Sequence, residues 1–373
     1  MDSEWLIEDI TTRILDVPLI RPHRFATMTA THQPILLVET RLAGGAAGWG
    51  EGVVPGGPWW GGESVETMQV IVERYLTPIL RGTDVRELPS TMEKCGGVVA
   101  ASPFAKAAVE IACHDAWARA LEVPLHDLLG GRFRDRIDVT WALGVATVGE
   151  MEDEIATRRT THGTGSFKLK MGAGDPAADT ARIVELAGIL GGEVGLRVDV
   201  NARWSRLTAL RMLPKLVSAG IEVVEQPTPA GDIETLAELR RATGAVIMAD
   251  ESAMTAGDVL RLIRHGAADI IAVKTTKCGG LAEAGRMAAV AMAGGLACHA
   301  ATSIEGPVGT AASAHWAASS PAVTFGSELF GPQLMSVNYC TAELDYSDGT
   351  VEVPTGTGTG LTPDRRTVAR LSR

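Results

Sequence analysis

Three acidic residues, Asp199, Glu225 and Asp250, each end a short apolar run, and they are separated by 26 and 25 positions. Such near-equal spacing predicts that they occupy the same place in successive copies of one structural unit. Three carboxylates brought side by side repel one another and cannot all stay ionised without a counter-charge. A divalent cation supplies that charge, and all-oxygen ligation favours a hard ion, Mg²⁺ or Mn²⁺. The spacing does not match an EF-hand loop, and the set lacks the Cys or His ligands typical of zinc.

Three lysines follow a related pattern. Lys168 and Lys170 lie two residues apart in a β-rich run, so both side chains point to the same face of the strand. Lys274 ends another run, 24 residues after Asp250. Neighbouring ammonium groups and a nearby cation lower a lysine pKa, and a lysine tuned towards neutrality can act as a general acid or base. We therefore predict a metal ion flanked by proton-transfer groups, which suits the formation or capture of an enolate beside a carboxylate.

The elements that position these residues alternate regularly after about Asp138. Eight β-rich runs are predicted, at Val139–Leu143, Phe167–Met171, Gly195–Val200, Glu222–Glu225, Ala245–Ala249, Ile270–Lys274, Leu296–His299 and Val323–Ser327. Helical segments between them include Pro176–Leu190, Leu207–Ala219, Ile233–Ala242, Ala256–Arg264 and Leu281–Ala293. Eight strands that alternate with helices favour a closed α/β barrel over an open doubly wound sheet. The absence of a G-x-G-x-x-G motif after the first strand argues against a Rossmann fold.

In a barrel of this kind the active site lies at the carboxyl ends of the strands. Lys274, from the sixth predicted strand, then faces Lys168 and Lys170, from the second, across the barrel mouth. Other polar residues at or just beyond the strand ends are further candidates for the site: Asn201, Glu251, His299, Glu305 and Glu328.

The chain before the barrel is predicted to form an α+β region. It contains predicted strands at Ile7–Leu19 and Pro34–Leu42, a Gly-rich loop at Gly44–Gly62, and helices at Glu63–Leu80 and Pro103–Leu121. We therefore divide the chain into an N-terminal α+β domain (residues 1–131), a barrel domain (132–331) and a C-terminal segment (332–373) that returns to pack on the N-terminal domain.

Composition excludes several other classes of protein. The chain has 373 residues, 46% of them hydrophobic, and a net charge of −11, whereas a non-specific nucleic-acid binder needs clustered cations. The long uncharged stretches, Met287–Ile304 and Gly306–Ser327, are too weakly apolar to predict a transmembrane helix. The N-terminus lacks the pattern of a signal peptide, and the five cysteines have no metal-like spacing. We expect a reduced, cytoplasmic protein without a nucleic-acid or membrane partner.

These motifs together resemble the enolase superfamily, specifically its muconate lactonizing enzyme subgroup. The match runs through Lys168-Leu169-Lys170, the three acids, Lys274 followed by Gly279-Gly280-Leu281, and the barrel entry at Pro124–Gly131. The resemblance implies an α+β capping domain on a modified (β/α)₇β barrel, with Asp199, Glu225 and Asp250 as metal ligands. It also implies that two capping-domain loops, Leu19–Thr31 and Gly48–Gly62, close the substrate pocket, with Trp59 and Trp60 on the second loop.

Within the subgroup, the segments Thr302–Thr310 and Gly326–Pro332 resemble the members that cyclise muconate. The implied activity converts cis,cis-muconate, a small dicarboxylate, to muconolactone in aromatic catabolism. Lys170 is then expected to protonate the enolate, while Lys168 tunes its pKa and binds a carboxylate. Lys274 is expected to be an electrostatic partner or an alternative acid, and Glu328 to bind substrate or assist proton return. The resemblance also implies a homo-oligomer, an octamer or a smaller symmetric assembly.

Other activities stay open at this stage: N-acylamino acid racemase, dipeptide epimerase and o-succinylbenzoate synthase. Dipeptide epimerases carry a D-x-D motif after the eighth strand, where this chain has Ser327-Glu328-Leu329. The mandelate racemase branch pairs a seventh-strand His with a sixth-strand Asp, but the sixth strand here supplies Lys274. His299 is therefore expected to be structural or pocket-lining. Outside the superfamily, a Schiff-base aldolase or a non-catalytic binding barrel accounts less well for three convergent acids.

Overall fold

The computed structural model describes residues 3–25 and 28–373. Its N-terminal part is an antiparallel sheet in the order β1-β2-β3, covered by helices. The strands are β1 (Ile7–Arg24), β2 (Thr29–Leu42) and β3 (Ala47–Gly52). The helices are α1 (Pro58–Gly61), α2 (Val65–Ile71), α3 (Thr77–Leu80), α4 (Leu88–Val98), α5 (Pro103–Ala120) and α6 (Leu125–Leu128), with a π-helical turn at Val72–Leu76 and 3₁₀ turns at Ser3–Trp5 and Val85–Glu87. The predicted α+β character of this region is confirmed.

The Gly-rich segment Gly44–Gly62 is not loop throughout, so that prediction is wrong: the segment contains β3 and α1. Glycine occurs in β3 because this strand runs directly against α5. A Cβ atom on Gly48 would lie 2.0 Å from the backbone nitrogen of Ala116, and one on Gly50 would lie 2.1 Å from the carbonyl oxygen of Ala108. These glycines therefore mark a close approach of strand and helix, not a turn.

We expect Gly50→Ala to lower the free energy of unfolding by about 3 kcal/mol, the upper end of the cost of overpacking a core, because the new methyl group meets the α5 backbone. Urea unfolding followed by circular dichroism measures this loss. Gly97→Ala in α4 is the matched control, since a Cβ atom there meets nothing within 4 Å and alanine should stabilise the helix by up to about 1 kcal/mol. Equal stabilities of the two variants would contradict the close approach.

The rest of the chain is built on eight parallel strands in sequential order, β5 to β12. After β4 (Arg136–Asp138) the strands are β5 (Trp141–Leu143), β6 (Ser166–Lys170), β7 (Gly195–Asp199), β8 (Val223–Glu225), β9 (Ile247–Ala249), β10 (Ile270–Val273), β11 (Ala297–Ala300) and β12 (Val323–Ser327). The helices between them are α7 (Val148–His162), α8 (Pro176–Leu190), α9 (Arg206–Ser218), α10 (Ile233–Thr243), α11 (Ala256–His265), α12 (Thr275–Cys278), α13 (Leu281–Ala293) and α14 (Pro307–Ser319). A parallel bridge between Val139 and Ser327 joins the two ends of the sheet. This is the predicted modified (β/α)₇β barrel.

The helix α14 is absent from the helices that the sequence pattern predicts. All 13 of its residues are buried, because it packs against α6 and β3 of the N-terminal domain as well as α13 of the barrel. A helix that is buried on every side has no polar face, so its sequence lacks the 3.6-residue alternation by which surface helices are identified.

Two buried glutamates of the N-terminal domain complete the first turns of barrel helices. Glu51 in β3 accepts the backbone N–H groups of Gly306 and Val308 at the start of α14, at 2.7 and 2.9 Å. Glu110 in α5 accepts two backbone N–H groups at the start of α13, at 2.8 and 3.0 Å. The first N–H groups of a helix have no partner within it. The glutamates satisfy them across the domain boundary and hold the two domains in one arrangement.

A histidine pair lies at the same boundary. The rings of His126 in α6 and His315 in α14 stack with centroids 5.0 Å apart, and their Nδ1 atoms are 2.9 Å apart. Nδ1 of His315 also faces the backbone N–H of His126 at 3.2 Å and accepts its hydrogen bond, so this nitrogen has no room for a proton. Burial, together with the neighbouring His126, lowers the pKa of His315 to about 3.

The protein should therefore lose stability as the pH falls below about 6.5. The folded-state pKa of His315 lies below its unfolded value, so the unfolded chain takes up a proton that the folded chain excludes, and stability rises with pH through this window. Between about pH 7.5 and about pH 5, this one group should cost about 2 kcal/mol. His315→Asn keeps an acceptor near the Nδ1 position without titrating, and should reduce the pH difference in urea unfolding by that amount. The exposed residue His265 supplies the control, His265→Asn; an unchanged difference in His315→Asn would argue against this assignment.

The C-terminal segment contacts both domains. It contains α15 (Gly331–Leu334), β13 (Tyr346–Ser347), β14 (Thr350–Glu352) and α16 (Arg365–Leu371). Bridges from Met335 to Leu19 and from Ser372 to Leu15 attach its two ends to β1, whereas β13 and β14 form a sheet with β4 of the barrel side. The two ends of the segment thus contact the N-terminal domain, and its strands β13 and β14 pack on the barrel side.

The five cysteines are all buried and unpaired. Within the described part of the chain, none of the helices combines the length and the apolar character needed to cross a bilayer.

Candidate active site

The predicted lysines and acids lie together at the carboxyl ends of the barrel strands. Lys168 and Lys170 lie in β6, Asp199 and Glu225 end β7 and β8, Asp250 and Lys274 directly follow β9 and β10, and Glu328 follows β12. The parallel register pairs Lys170 with Asp199, and Asp199 with Glu225. These side chains are all buried, so their charges act on one another with little screening by water.

Lys168 is at the centre of an ion-pair network. Its Nζ lies 3.0 Å from Glu225 Oε2, 2.5 Å from Glu328 Oε2 and 3.7 Å from Asp199 Oδ2. Burial alone would lower the pKa of Lys168, but the attraction of these carboxylates outweighs it and holds that pKa well above its usual value. The expected depression of the lysine pKa by neighbouring ammonium groups is therefore wrong for Lys168, because carboxylates dominate its surroundings.

Lys170 and Lys274 line the same pocket from β6 and from the end of β10, four strands apart in the eight-stranded order. Lys170 Nζ donates to Asp199 Oδ2 at 2.5 Å and to Asn201 Oδ1 at 3.3 Å. Lys274 Nζ donates to Asp250 Oδ2 at 2.6 Å. Burial lowers the pKa of Lys274, but the attraction of nearby carboxylates, Asp250 first among them, raises it above its usual value. Two amino groups thus face the pocket from opposite sides of the barrel.

The lysines do not neutralise every carboxylate oxygen of the site. Glu225 Oε1 and Glu251 Oε2 are buried, and the described part of the chain offers neither a hydrogen-bond partner. Burial and the repulsion of Asp199 raise the pKa of Glu225 well above its usual value. Burial and the repulsion of Asp250 raise the pKa of Glu251 to about 7. An added cation would relieve both costs, and hard carboxylate oxygens are the donors that Mg²⁺ or Mn²⁺ prefers. The donor chemistry therefore fits a divalent metal.

The present side-chain positions do not form a closed cage for an ion. Across residues 3–25 and 28–373, there is no group of three or more His, Cys, Asp or Glu side chains with the spacing to hold a metal. Asp199, Glu225 and Asp250 each bond a lysine ammonium group instead. A metal ion and the lysines would therefore compete for the same oxygens.

Asp199, Glu225 and Asp250 form an acidic rim at the strand ends, and Asn201 and Glu251 extend it. The side-chain amide of Asn201 donates to Asp199 Oδ2 at 3.1 Å and to Glu251 Oε1 at 3.4 Å. Asn201 also lines the pocket beside Lys170. The amide thus connects the acid that ends β7 with the acidic pair that follows β9, and it limits how far these side chains can separate.

His299 and Glu305 lie outside the pocket lining. His299 Nδ1 donates to the carbonyl oxygen of Phe325 at 2.8 Å, and its Nε2 lies 3.3 Å from Glu328 Oε1, so the ring supports Glu328 from behind. Glu305 accepts the Thr276 hydroxyl at 2.6 Å and the backbone N–H of Ser303 at 2.9 Å. It braces the loop after β11 and does not present its carboxylate to the pocket.

Lys277 is a further lysine of the site that the sequence analysis missed. It is fully buried, and its Nζ donates to both the side chain and the backbone carbonyl of Asp250 at 2.7 Å, and to the Ala272 carbonyl at 2.9 Å. Lys277 donates to Asp250 Oδ1, whereas Lys274 donates to Asp250 Oδ2. The available signal was a second lysine three residues after Lys274.

The N-terminal domain closes the pocket above the strand ends. The N-terminal domain contributes five lining residues to the pocket: His23 and Phe25 from the end of β1, and Pro55, Trp59 and Trp60 from the segment that follows β3. Both predicted capping segments therefore reach the pocket. The first, Leu19–Thr31, is not a loop throughout as predicted, because β1 extends to Arg24 and β2 begins at Thr29; residues 26 and 27 lie outside the described residues. Lys274 Nζ lies 4.3 Å from the centre of the Trp60 ring, close enough for a cation–π contact.

Comparison with known proteins gives matches along nearly the whole chain. Residues 9–130 match the family described as "Mandelate racemase / muconate lactonizing enzyme, N-terminal domain", and residues 150–367 match "Enolase C-terminal domain-like". Muconate cycloisomerase 1 of Rhodococcus opacus is 57% identical over 355 residues, 95% of each chain. A chloromuconate cycloisomerase of Cupriavidus pinatubonensis is 37% identical over 360 residues, 96% of this chain and 97% of the relative.

Solved structures agree with these sequence matches. The crystal structure of 2-chloromuconate cycloisomerase from Rhodococcus opacus superposes with a TM-score of 0.96 at 40% identity, covering 99% of this chain and 100% of the other. Muconate lactonizing enzyme from Pseudomonas fluorescens, complexed with muconolactone, superposes with a TM-score of 0.97 at 34% identity and the same coverage. The predicted resemblance and the predicted fold are confirmed: the chain belongs to the mandelate racemase / muconate lactonizing enzyme family of the enolase superfamily.

Proposed function

We propose that this chain is a muconate cycloisomerase, which converts cis,cis-muconate to muconolactone in aromatic catabolism. The observation that carries the proposal is its 57% identity, over 95% of both chains, to a muconate cycloisomerase. The pocket suits this substrate because lysines reach it from two sides of the barrel, and a small dicarboxylate needs positive charge around it. The homo-oligomeric state and the cytoplasmic location stay predictions.

In the proposed reaction, an oxygen of one carboxylate forms a C–O bond to the far double bond of the same molecule. The π electrons of that double bond move to the carbon beside the second carboxylate. Lys170, which lines the pocket, donates a proton to this carbon and recovers one from solvent. Lys168 stays protonated between Glu225 and Glu328 and keeps positive charge near the carboxylate on which the electrons collect.

Asp199, Glu225 and Asp250 would hold a divalent cation, Mg²⁺ or Mn²⁺, which supplies a Lewis acid beside that second carboxylate. Glu251 and Asn201 pack around these ligands and limit their movement. Lys277 holds Asp250 from behind, in the way that outer residues orient metal ligands. Lys274 faces Lys170 across the pocket and is the alternative acid, and Glu328, supported by His299, anchors Lys168.

The proposal is tested by incubating purified protein with Mg²⁺ or Mn²⁺ and cis,cis-muconate. The ultraviolet absorbance of the conjugated diene should decay, and in D₂O the muconolactone formed should carry one deuterium on the carbon next to its free carboxylate. Unchanged absorbance would refute the proposal. Exchange of the α-proton of N-acylamino acids or dipeptides, without muconate turnover, would indicate the racemase or epimerase activity instead.

A further inference from the structure

The charges at the strand ends account for only one end of the proposed substrate. Muconate is a dianion, and one of its carboxylates is placed beside the acidic rim and its cation. The other carboxylate must then lie towards the N-terminal domain, where the lining residues His23, Phe25, Trp59 and Trp60 include no lysine or arginine. A carboxylate on this side therefore needs uncharged hydrogen-bond donors.

His23 is buried at the end of β1, with 1% of its surface exposed. Its Nδ1 lies 3.3 Å from Nη1 of Arg21. A guanidinium group can only donate hydrogen bonds, so Nδ1 of His23 must be the acceptor in this contact. A neutral His23 therefore carries its proton on Nε2, and Nε2–H is the donor that the ring can offer to a ligand.

The position of Arg21, and with it the tautomer of His23, is set by the barrel. Arg21 donates to Glu154 Oε1 through Nε at 3.1 Å and through Nη2 at 2.6 Å. The indole N–H of Trp141 donates to the same oxygen at 2.7 Å. Burial first, and then the positive charges of Arg21, Lys170 and Lys168, hold the pKa of His23 well below its usual value, so the ring stays neutral while it lines the pocket.

Trp59 provides a second donor on the same side. Its Nε1 atom is buried and has no hydrogen-bond partner among residues 3–25 and 28–373, although a buried indole N–H usually has one. Its ring centre lies 5.9 Å from that of Phe25, and the His23 ring centre lies 4.7 Å from Phe25 on an edge contact. His23 and Trp59 therefore flank one aromatic ring on the capping side of the pocket.

We propose that this side of the pocket is a carboxylate subsite, in which His23 Nε2–H and Trp59 Nε1–H donate hydrogen bonds to the substrate carboxylate that lies away from the acidic rim. The inference rests on the proposed function only in taking the ligand to be a dicarboxylate. Hydrogen bonds from neutral donors orient a carboxylate without protonating it, so its oxygen keeps the electron pair that forms the new C–O bond.

Two His23 variants separate the Nε2 donor from the contact with Arg21. His23→Asn places an amide near the Nδ1 position, which leaves Arg21 a partner but puts nothing at Nε2. His23→Gln places its amide near the Nε2 position and restores a donor there. Affinity for adipate, a saturated six-carbon dicarboxylate, is measured by calorimetry on the Mg²⁺-loaded protein, with hexanoate as the matched monocarboxylate.

His23→Asn should weaken adipate binding about 10- to 100-fold, the range for a buried hydrogen bond to a charged group, while hexanoate affinity changes less than about twofold. His23→Gln should recover most of the loss. Trp59→Phe keeps an aromatic ring but removes the N–H donor, so it should weaken adipate binding more than hexanoate binding. Wild-type adipate affinity in His23→Asn overturns the proposal, as does an equal loss for adipate and hexanoate or the failure of wild-type protein to bind adipate.

This binding test is independent of turnover. If wild-type protein does not convert muconate but shows the His23-dependent preference for adipate over hexanoate, the proposed reaction fails and the carboxylate subsite stands. If muconate turns over with a KM that His23→Asn leaves unchanged, the reaction stands and the subsite fails.

Discussion

Replacing Lys170 with alanine should lower kcat for cis,cis-muconate by about 10²–10⁴-fold, the range that a positioned general acid contributes. Lys170 lines the pocket and is held by Asp199 and Asn201, so its removal leaves the carbon beside the second carboxylate without its proton donor. KM should change much less, because the substrate carboxylates keep their other partners. Initial rates from the decay of diene absorbance measure both constants.

The matched control is Lys215→Ala, which removes an exposed lysine from α9 and should leave kcat unchanged. Lys274→Ala tests the alternative acid on the opposite side of the pocket. If Lys170→Ala keeps wild-type turnover and Lys274→Ala loses it, the proton is delivered from β10 and the assignment to Lys170 is wrong. In D₂O, deuterium would then be added to the opposite face of the carbon beside the free carboxylate.

Glu225→Gln should lower the affinity for Mn²⁺ by more than about 100-fold. Substituting a residue that only supports a metal ligand already costs roughly 10- to 100-fold, and Glu225 is proposed as a ligand itself. Muconate turnover should fall as the affinity for the metal falls. Calorimetric titration with Mn²⁺ gives the affinity without reference to activity. Metal-free Glu225→Gln should unfold at the same temperature as the metal-free wild type or higher, because the substitution removes a buried carboxylate that is repelled by Asp199, and Lys168 keeps Glu328 as a partner.

Added Mn²⁺ should then raise the unfolding temperature of the wild type, since a ligand that binds only the folded state stabilises it, but not that of Glu225→Gln. The control is Glu222→Gln, the same change at an exposed position three residues earlier, which should keep the wild-type response. A Glu225→Gln variant that still binds Mn²⁺ with wild-type affinity would remove Glu225 from the ligand set.

The parts of the site that repeat along the chain were predictable from the sequence. Asp199, Glu225 and Asp250 recur with the βα unit, and parallel register then places the ends of neighbouring strands side by side. The double lysine of β6 is recognisable because side chains two residues apart share a face. These predictions need only local periodicity and one rule of barrel geometry.

The parts that depend on contacts between distant segments were not predictable in this way. The glycines of β3 look like a loop until α5 is placed against them, and α14 has no polar face because two domains cover it. The pKa of Lys168 was misjudged because carboxylates from distant parts of the chain, Glu225 and Glu328, bond its ammonium group and raise that pKa. The donor tautomer of His23 depends on Arg21 and, through it, on Glu154 of α7.

The glutamates that cap α13 and α14 from the neighbouring domain have a consequence for recombination between relatives. A barrel joined to a foreign N-terminal domain without acids at the positions of Glu51 and Glu110 would lose the side-chain acceptors of the backbone N–H groups at the start of both helices. Each such group left without a partner costs about 1–3 kcal/mol. We therefore expect the capping domain and the barrel to be exchanged between relatives only as one unit, and new specificity to arise by point substitution in the capping domain more readily than by exchange of whole domains.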